Sequence, residues 1–168
     1  MINLPDYKKI HCIGIGGIGL SAVAEILMAR GYDISGSDMR ESDMTAKLAH
    51  DGAQIYIGHK AENVEGKDLI IYSSAISMEN PELAKAKELG IPAVTRAQAL
   101  GALMAEYDSS IAISGTHGKT TTTSMVSLIL KNAHKEPTIL VGGNLPEING
   151  NVYVGQNDYF VTEACEYM

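Results

Sequence analysis

The sequence Gly115-Thr116-His117-Gly118-Lys119-Thr120-Thr121 connects an apolar run with a segment of helical periodicity. The apolar run, residues 110–113, predicts a buried strand, and residues 124–131 predict an amphipathic helix. The apolar side chains that share one face of this helix are Met125, Leu128 and Ile129. A glycine loop between a strand and a helix presents free backbone N–H groups to an anion, and the helix dipole favours negative charge there. This stretch therefore predicts a phosphate-binding loop.

The side chains of the same loop suit a nucleoside triphosphate. Lys119 can place a compact positive charge against the outer phosphates, and Thr120 or Thr121 offers a hydroxyl to Mg²⁺. The spacing is shorter than in the usual phosphate loop, because only two residues separate Gly115 from Gly118. The alternative is a turn rich in Gly and Thr that caps an ordinary helix, with Lys119 in solvent. The order of strand, glycines, Lys-Thr and helix favours the phosphate loop.

A second glycine loop, Gly14-Ile15-Gly16-Gly17-Ile18-Gly19, lies near the N-terminus. Residues 9–15 predict a buried parallel strand that leads into it, and residues 18–29 predict a helix that follows. Asp38 ends the next strand, about 20 residues beyond the loop, where a dinucleotide-binding fold places a carboxylate that accepts ribose hydroxyls. We therefore predict a Rossmann-like nucleotide site. The alternative is that the glycines only allow close helix–sheet packing and that Asp38 caps the next helix.

The first hundred residues alternate between predicted strands and helices. The helix after the glycine loop is predicted to end at Gly31 and to expose Ser21 and Glu25. Asn80 and Pro81 predict the start of a later helix, as N-cap and first-turn residue. The remaining predicted strands are 32–36, 53–57, 68–72 and 91–94, and the remaining helices are 42–50, 81–89 and 96–106.

Polar residues follow several of these strands. His59, Ser73 and Ser74 lie at strand ends. Because open parallel sheets bind ligands at the carboxyl ends of their strands, these residues are candidates to bond a phosphate, sugar or base. The alternative is that Ser73 and Ser74 only satisfy backbone groups of a turn. For Arg96, at the start of a predicted helix, the sequence favours a surface cation over a phosphate ligand.

A domain boundary is predicted at residues 107–109, which separates the two glycine loops. Residues 1–106 form one complete domain, and residues 107–168 begin a second. In the second, predicted strand 137–141 ends in Gly142-Gly143-Asn144, and predicted strand 158–162 ends in Glu163. The expected fold is α/β: a Rossmann-like parallel sheet domain followed by the start of a P-loop α/β ATPase domain.

An acid at the end of a strand in a phosphate-loop sheet is the usual second Mg²⁺ ligand, so Glu163 is the candidate, assisted by Glu166. The alternative is an exposed acid at a strand end. The second domain has too few elements to cover both faces of a parallel sheet. We therefore expect a piece of a longer protein that exposes apolar surface.

Composition excludes several classes of function. Hydrophobic residues make up 45% of the chain and charged residues 20%, as in soluble globular proteins. The net charge of −7 argues against nonspecific nucleic-acid binding. No apolar run is long enough to predict a membrane span. Cys12 and Cys165 are predicted to be reduced core residues of a cytosolic protein.

Together these motifs resemble the Mur ligases of peptidoglycan synthesis, and the resemblance spans essentially the whole chain. It rests on both glycine loops with Ser37-Asp38, Ser73-Ser74-Ala75-Ile76, Gly142-Gly143-Asn144 and Glu163-Ala164. The histidine in the second loop is typical of the branch that adds L-alanine to UDP-N-acetylmuramate. The branch that reattaches recycled murein peptide has a similar layout, but its first glycine loop is less like this one.

The resemblance implies two ligand sites. UDP-N-acetylmuramate would occupy the first domain, with its diphosphate on Gly14, Ile15, Gly16, Gly17 and Gly19 and its uridine near Asp38, His59, Ser73 and Ser74. MgATP would occupy the second, on Gly115, Thr116, His117, Gly118, Lys119, Thr120 and Thr121. The metal ligands would be Thr120, Thr121 and Glu163, and the catalytic residues Lys119 and Glu163. The substrate carboxylate would attack the γ-phosphate, and the amine of L-alanine would then attack the acyl phosphate.

The later family segments that would complete catalysis and select the amino acid are missing, so we expect no turnover from these 168 residues. The oligomeric state stays open. Two alternatives remain: a nicotinamide-dependent dehydrogenase, which the first loop permits but the second does not require, and a nucleotide sensor without catalysis.

Overall fold

The computed structural model describes residues 2–156 and 159–164. The chain forms two compact units, Met1–Ala102 and Leu103–Met168. Predictions for Cys165 and Glu166 concern positions outside the described residues. Within the described ranges, no helix combines the length and the apolarity needed to cross a bilayer.

The first unit is built on a five-stranded parallel sheet. Its strands are β1 (Lys9–Ile13), β2 (Asp33–Asp38), β3 (Gln54–Ile57), β4 (Leu69–Tyr72) and β5 (Ala93–Thr95), and their order is β3-β2-β1-β4-β5. The helices are α1 (Ile18–Ala29), α2 (Asp43–His50), α3 (Pro81–Glu88) and α4 (Arg96–Met104), which ends two residues earlier than predicted. The Rossmann-like parallel sheet predicted for this part of the chain is confirmed.

Local sequence explains where these helices begin and end. Ser42 and Thr45 form a capping box at the start of α2, and the Asn80 side chain accepts a hydrogen bond from the Glu82 amide at the start of α3. Gly31 follows α1 in the left-handed region, with φ of 89°, as predicted for a helix C-terminus. Cys12 lies fully buried in β1, and burial raises the pKa of its thiol to about 12, which suits an inert core residue.

The prediction that α1 exposes Ser21 and Glu25 is wrong. Ser21 is fully buried, and its hydroxyl donates to the Ile18 carbonyl. Glu25 is mostly covered and pairs with Lys47 of α2 at 2.7 Å. Because α1 contacts both α2 and the sheet, little of its surface faces solvent.

The described part of the second unit contains a four-stranded mixed sheet, one α-helix and a short 3-10 helix at Pro146–Ile148. Its elements are β6 (Ser109–Ile113), α5 (Lys119–Asn132), β7 (Thr138–Leu145), β8 (Gly150–Tyr153) and β9 (Tyr159–Glu163), and the strand order is β6-β9-β7-β8. β6, β9 and β7 are parallel, but β8 is antiparallel to β7 and was not predicted. β7 also continues through Gly142 and Gly143, where the sequence predicted its end.

Two burial predictions for this unit are wrong. β6 is a strand, but it is an edge strand among the described residues and is largely exposed, with Ile111 at 37%. On α5, Met125 and Ile129 are 60% and 64% exposed. The residues that α5 buries are Thr123 and Ser127, so the buried face of the helix is not the face that carries Met125 and Ile129. Leu128 alone of the predicted face packs on the core cluster of β7, which contains Ile139 and Val141.

Candidate functional site

The first glycine loop is fastened to the end of β2. The amides of Gly14 and Ile15 donate to the Ser37 carbonyl at 2.8 and 3.1 Å. The Gly16 amide donates to the Asp38 carboxylate at 2.9 Å, and the Gly17 amide to the Gly14 carbonyl. The Ile15 side chain is fully buried. The early part of the loop is therefore a rigid support whose N–H groups are already used.

The N–H groups of this loop that are not bonded within the chain lie further along, at the start of α1. Among the described residues, the amides of Ile18 and Gly19 have no hydrogen-bond partner. They are the first two residues of a twelve-residue helix, where backbone N–H groups and the helix dipole attract negative charge. The amides of Ile18 and Gly19 are thus open to a ligand, whereas those of Gly14–Gly17 donate within the chain.

Arg96 lies beside these amides, although the sequence favoured a role as a surface cation. A Cβ built on Gly19 would be 3.2 Å from the Cδ, Nε and Cζ atoms of Arg96. Arg96 follows β5 directly, and Gly14 follows β1, so the two segments leave the sheet at the same carboxyl edge. The half-buried guanidinium is therefore a cation at the start of α1. No sequence pattern links residue 96 to residue 19, because the contact is tertiary.

Asp38 supports the loop. One carboxylate oxygen accepts from Gly16, and the other from the Arg40 amide at 3.4 Å. It does not cap α2, because Ser42 occupies that position. Whether Asp38 also contacts a ribose stays a prediction.

The other predicted ligands of this unit differ in their surroundings. The Ser73 amide donates to the Ile13 carbonyl at 3.1 Å, and its hydroxyl accepts from the Ala75 amide at 3.4 Å, which fits the turn role. Ser74 is exposed. His59 points its Nδ1 at the Glu82 carboxylate, 2.9 Å away.

Glu82 is the centre of a buried polar cluster that the sequence did not reveal. Burial by itself raises the pKa of a carboxyl, but the nearby His11 imidazole and the hydrogen bonds from Asn63 and Ser37 outweigh burial and lower the pKa of Glu82 below its usual value. His11 Nε2 lies 3.4 Å from the carboxylate and makes no hydrogen bond within the described residues. An acid in the first turn of a helix suggests a surface position. The signal that could have revealed the cluster was polar residues His11, Ser35 and Ser37 at alternate positions of two buried strands.

The second glycine loop leads directly into α5. Gly118 is its N-cap residue in the left-handed conformation, with φ of 78°, and α5 begins at Lys119, five residues earlier than predicted. Thr120 and Thr121 therefore lie exposed in the first turn, after the exposed loop residues Gly115, Thr116 and His117. The Lys119 ammonium folds back and donates to the Gly115 carbonyl at 2.6 Å. The loop thus has the geometry of an anion cradle with its cation nearby.

Glu163 and the first turn of α5 both adjoin the glycine pair of β7. The Glu163 carboxylate accepts from the Gly142 amide at 2.7 Å, and a Cβ on Gly142 would be 2.9 Å from its other oxygen. The Thr120 methyl lies 3.4 Å from the Cβ position of Gly143. The strand end, the glycine pair and the helix start are therefore neighbours.

This arrangement fits Mg²⁺ bound together with a nucleotide. Carboxylate and hydroxyl oxygens are the ligands that Mg²⁺ prefers, and phosphates and water usually supply the rest. Within residues 2–156 and 159–164, no group of three or more His, Cys, Asp or Glu side chains could hold a metal by itself. The protein atoms available for Mg²⁺ are those of Glu163 and the threonines Thr120 and Thr121.

The protein is an α/β protein with a five-stranded parallel sheet and a second, mixed sheet, and each unit contains a strand, a glycine loop and a helix in that order. A family model described as Mur ligase family, catalytic domain matches residues 9–108, and the chain belongs to this family. The family that the motifs indicated is thereby confirmed.

Individual relatives are similar over nearly the whole chain. The UDP-N-acetylmuramate–L-alanine ligase of Clostridium botulinum is 61% identical over 160 residues, which are 95% of this chain and 35% of that protein. The solved UDP-N-acetylmuramate-alanine ligase MurC of Thermotoga maritima is 39% identical, with a TM-score of 0.84 over 92% of this chain and 36% of its own. The solved UDP-N-acetylmuramate:L-alanyl-gamma-D-glutamyl-meso-diaminopimelate ligase of Neisseria meningitides is 28% identical, with a TM-score of 0.87 over 96% and 53%. The chain spans about a third of the length of the curated relatives it matches.

Proposed function

We propose that this chain is part of an ATP-dependent ligase that joins L-alanine to the lactyl carboxylate of UDP-N-acetylmuramate in peptidoglycan synthesis. The observation that carries the proposal is that Glu163 and the first turn of α5 both lie next to the Gly142-Gly143 pair. The 61% identity to a protein named UDP-N-acetylmuramate–L-alanine ligase supports the choice of substrates. Because the reaction consumes ATP and a UDP-activated sugar, we expect a cytoplasmic protein.

In this proposal the first unit binds the UDP-sugar. The diphosphate contacts the Ile18 and Gly19 amides and the Arg96 guanidinium. Gly14, Ile15, Gly16 and Gly17 act chiefly by shaping the loop, since their amides are bonded within the chain. The nucleoside lies toward Asp38 and His59, and Ser73 and Ser74 border the crevice between β1 and β4. That crevice is the switch point of the strand order, where such sheets bind ligands.

The second unit binds ATP. The amides of the loop residues Gly115, Thr116, His117 and Gly118 surround the phosphates, and Lys119 exchanges its contact with the Gly115 carbonyl for the outer phosphates. Thr120, Thr121 and Glu163 would hold Mg²⁺, which when bound neutralises phosphate oxygens.

The reaction needs positioning and positive charge more than a nucleophilic side chain. The substrate carboxylate forms a bond to the γ-phosphorus, and the bond to the bridging oxygen of ADP breaks. The alanine amine then attacks the acyl carbon, loses a proton, and inorganic phosphate leaves. Lys119 stabilises the charge on the transferred phosphoryl group. We expect no turnover from the 168 residues alone, and phosphate release that depends on UDP-N-acetylmuramate, alanine and ATP would contradict this.

A murein peptide ligase of cell-wall recycling is the second candidate, because the TM-score to the Neisseria meningitides ligase is 0.87. The lower sequence identity of that protein, 28% against 61% for the Clostridium botulinum relative, ranks it second. Both candidates use the same UDP-sugar and differ in the amine. The dehydrogenase alternative gains no support from membership in the Mur ligase family.

The test is calorimetric titration of the chain with UDP-N-acetylmuramate, with UDP-glucose and NADH as controls. We expect selective binding of the muramic sugar nucleotide, and about tenfold weaker binding by Arg96→Ala, because a charge-assisted contact is lost. Arg40→Ala, at an exposed position after β2, is the matched control and should bind normally. Asp38→Ala should also weaken binding, because the Gly16 amide loses its partner and the loop loses the support of the Asp38 carboxylate. Selective binding of NADH would overturn the proposal.

A further inference from the structure

A cluster of buried polar side chains lies under the first glycine loop. The Glu82 cluster consists of Glu82, Ser37, His59, Asn63 and His11. Glu82, Ser37 and His11 are fully buried, and the His59 side chain is 11% exposed. Ser37 joins this cluster to the loop, because its carbonyl accepts from the Gly14 and Ile15 amides while its hydroxyl donates to Glu82 at 2.7 Å.

The hydrogen bonds determine how Glu82 is charged. Oε2 accepts from Ser37 and lies 2.9 Å from His59 Nδ1. Oε1 accepts from Asn63 at 2.6 Å and lies 3.4 Å from His11 Nε2. A carboxyl surrounded by donors is stabilised in its ionised form, and the lowered pKa of Glu82 agrees. An ionised carboxylate can only accept hydrogen bonds.

The charge of Glu82 in turn determines the tautomer of His59. The Ser37 hydroxyl has one hydrogen, which it donates to Glu82. His59 Nδ1 faces both the carboxylate and the Ser37 oxygen, so this nitrogen must carry hydrogen. In a neutral imidazole the other nitrogen, Nε2, is then an acceptor.

His59 stands where a nucleoside would lie. The Gly58 amide donates to the Asp38 carbonyl at 2.8 Å, which fastens the turn before His59 to the end of β2. In dinucleotide folds the nucleoside lies over this strand end. The exposed fraction of His59 is small, so only an edge of the ring is available to a ligand.

We propose that Glu82 is a positioning residue that holds His59 with hydrogen on Nδ1, so that Nε2 accepts a hydrogen bond from the base of the bound nucleotide. The inference rests on the proposed nucleotide-sugar site and adds a basis for selecting the base. Uracil carries a hydrogen on N3, whereas cytosine presents a lone pair there. A lone pair on His59 therefore favours uracil and repels cytosine.

The first measurement uses the unaltered chain and records the ¹⁵N shifts of the His59 ring by two-dimensional NMR. The expected spectrum shows a protonated Nδ1 and an unprotonated Nε2. Hydrogen on Nε2 would overturn the proposal, and this result does not depend on any variant folding.

The second measurement compares the affinities of UDP and CDP, which differ only in the base. We expect UDP to bind about tenfold more tightly than CDP, the discrimination of one hydrogen bond and one avoided repulsion. Glu82→Gln places a donor amide beside Nδ1 and allows the other tautomer, so the preference should fall below about threefold. Glu88→Gln makes the same change at an exposed position of α3 and should keep the wild-type ratio.

The outcomes separate the inference from the proposed function. If Glu82→Gln weakens UDP and CDP equally and leaves their ratio unchanged, Glu82 only stabilises the fold and the inference is wrong. If neither nucleotide binds the unaltered chain, the nucleotide-sugar site is wrong, and so is the recognition role of His59.

Discussion

At the scale of single residues, Gly36 decides how closely the first glycine loop approaches β2. A Cβ at this position would be 2.4 Å from the Ile15 Cδ1 and 2.8 Å from the Cys12 carbonyl oxygen. Backbone cannot move away as a flexible side chain can. We expect Gly36→Ala to lower the free energy of unfolding by about 1–3 kcal/mol, the usual cost of overpacking a core. Urea denaturation followed by circular dichroism measures this.

Gly101 is the matched control for this substitution. It lies exposed in α4, and no atom approaches its Cβ position within 4 Å. Gly101→Ala should be neutral or raise stability by up to about 1 kcal/mol, because alanine favours helix. Equal effects at both glycines would mean that the contact with Ile15 does not constrain Gly36.

Asp68 contributes stability that depends on pH. The amides of Lys9 and Lys8 donate to its carboxylate at 2.8 and 3.0 Å and lower the pKa of Asp68. Because the folded pKa lies below the unfolded value, the contribution is present at neutral pH and is lost as pH falls through the folded pKa. Asp68→Asn should lower the urea midpoint at about pH 7 and should lose less stability than wild type on acidification to about pH 3.

Asp33→Asn, at an exposed acid that begins β2, serves as the control for Asp68→Asn. The urea midpoint of this variant should fall on acidification by as much as that of the wild type. Parallel acid curves for Asp68→Asn and wild type would contradict a role for the Asp68 carboxylate.

The residues of the candidate sites were predictable where they sit on a local motif. Glycines, Lys119 and the strand-end acids Asp38 and Glu163 are spaced by the strand–loop–helix pattern, so the sequence contains their positions. Arg96 and Glu82 act through contacts made across the fold. Both residues lie at the start of a helix, where a charged side chain can be either exposed or buried. Only tertiary packing decides between these two positions.

At the scale of elements, α5 shows how an apolar pattern can mispredict a buried face. Four threonines and a serine, residues 120–124, follow Lys119 in the first turns of this helix. Thr123 and Ser127 are buried, and Met125 and Ile129 are exposed. β8 was missed because only two of its residues, Val152 and Tyr153, are apolar, yet Asn149 has a left-handed φ of 56° and precedes Gly150. An Asn-Gly pair is a strong hairpin signal, so this strand was predictable in principle.

The phase of α5 can be tested by a pair of alanine substitutions. Leu128 packs on the Ile139 cluster, whereas Ile129 is 64% exposed. We expect Leu128→Ala to cost about 1–2 kcal/mol of unfolding free energy, since the side chain is only partly buried. Ile129→Ala should stay within about 0.5 kcal/mol of wild type. A larger loss at Ile129 than at Leu128, measured by urea denaturation, would show that α5 packs with the phase that the sequence suggested.

At the scale of the whole molecule, the chain divides into two compact units, each with its own glycine loop. The family model that shows the membership covers residues 9–108, which contain only the first loop. The resemblance seen in the sequence rested on the combination of both loops, because either loop alone occurs in many classes of protein. The net charge of −7 also means that anionic ligands must be held by local groups, such as helix N-termini and single cations.

This division predicts separate ligand responses, which hydrogen exchange read by mass spectrometry can resolve. A ligand stabilises the state it binds and slows exchange where binding suppresses local opening. UDP-N-acetylmuramate should protect the segment from Gly14 to Asp38, and MgATP should protect the segment from Gly115 to Thr121. Lys119→Ala removes the cation nearest the phosphate loop, so it should abolish the MgATP effect and leave the UDP-sugar effect intact. Protection of both segments by one ligand alone would mean that the two loops contribute to a single site, and the assignment of one nucleotide to each unit would then be wrong.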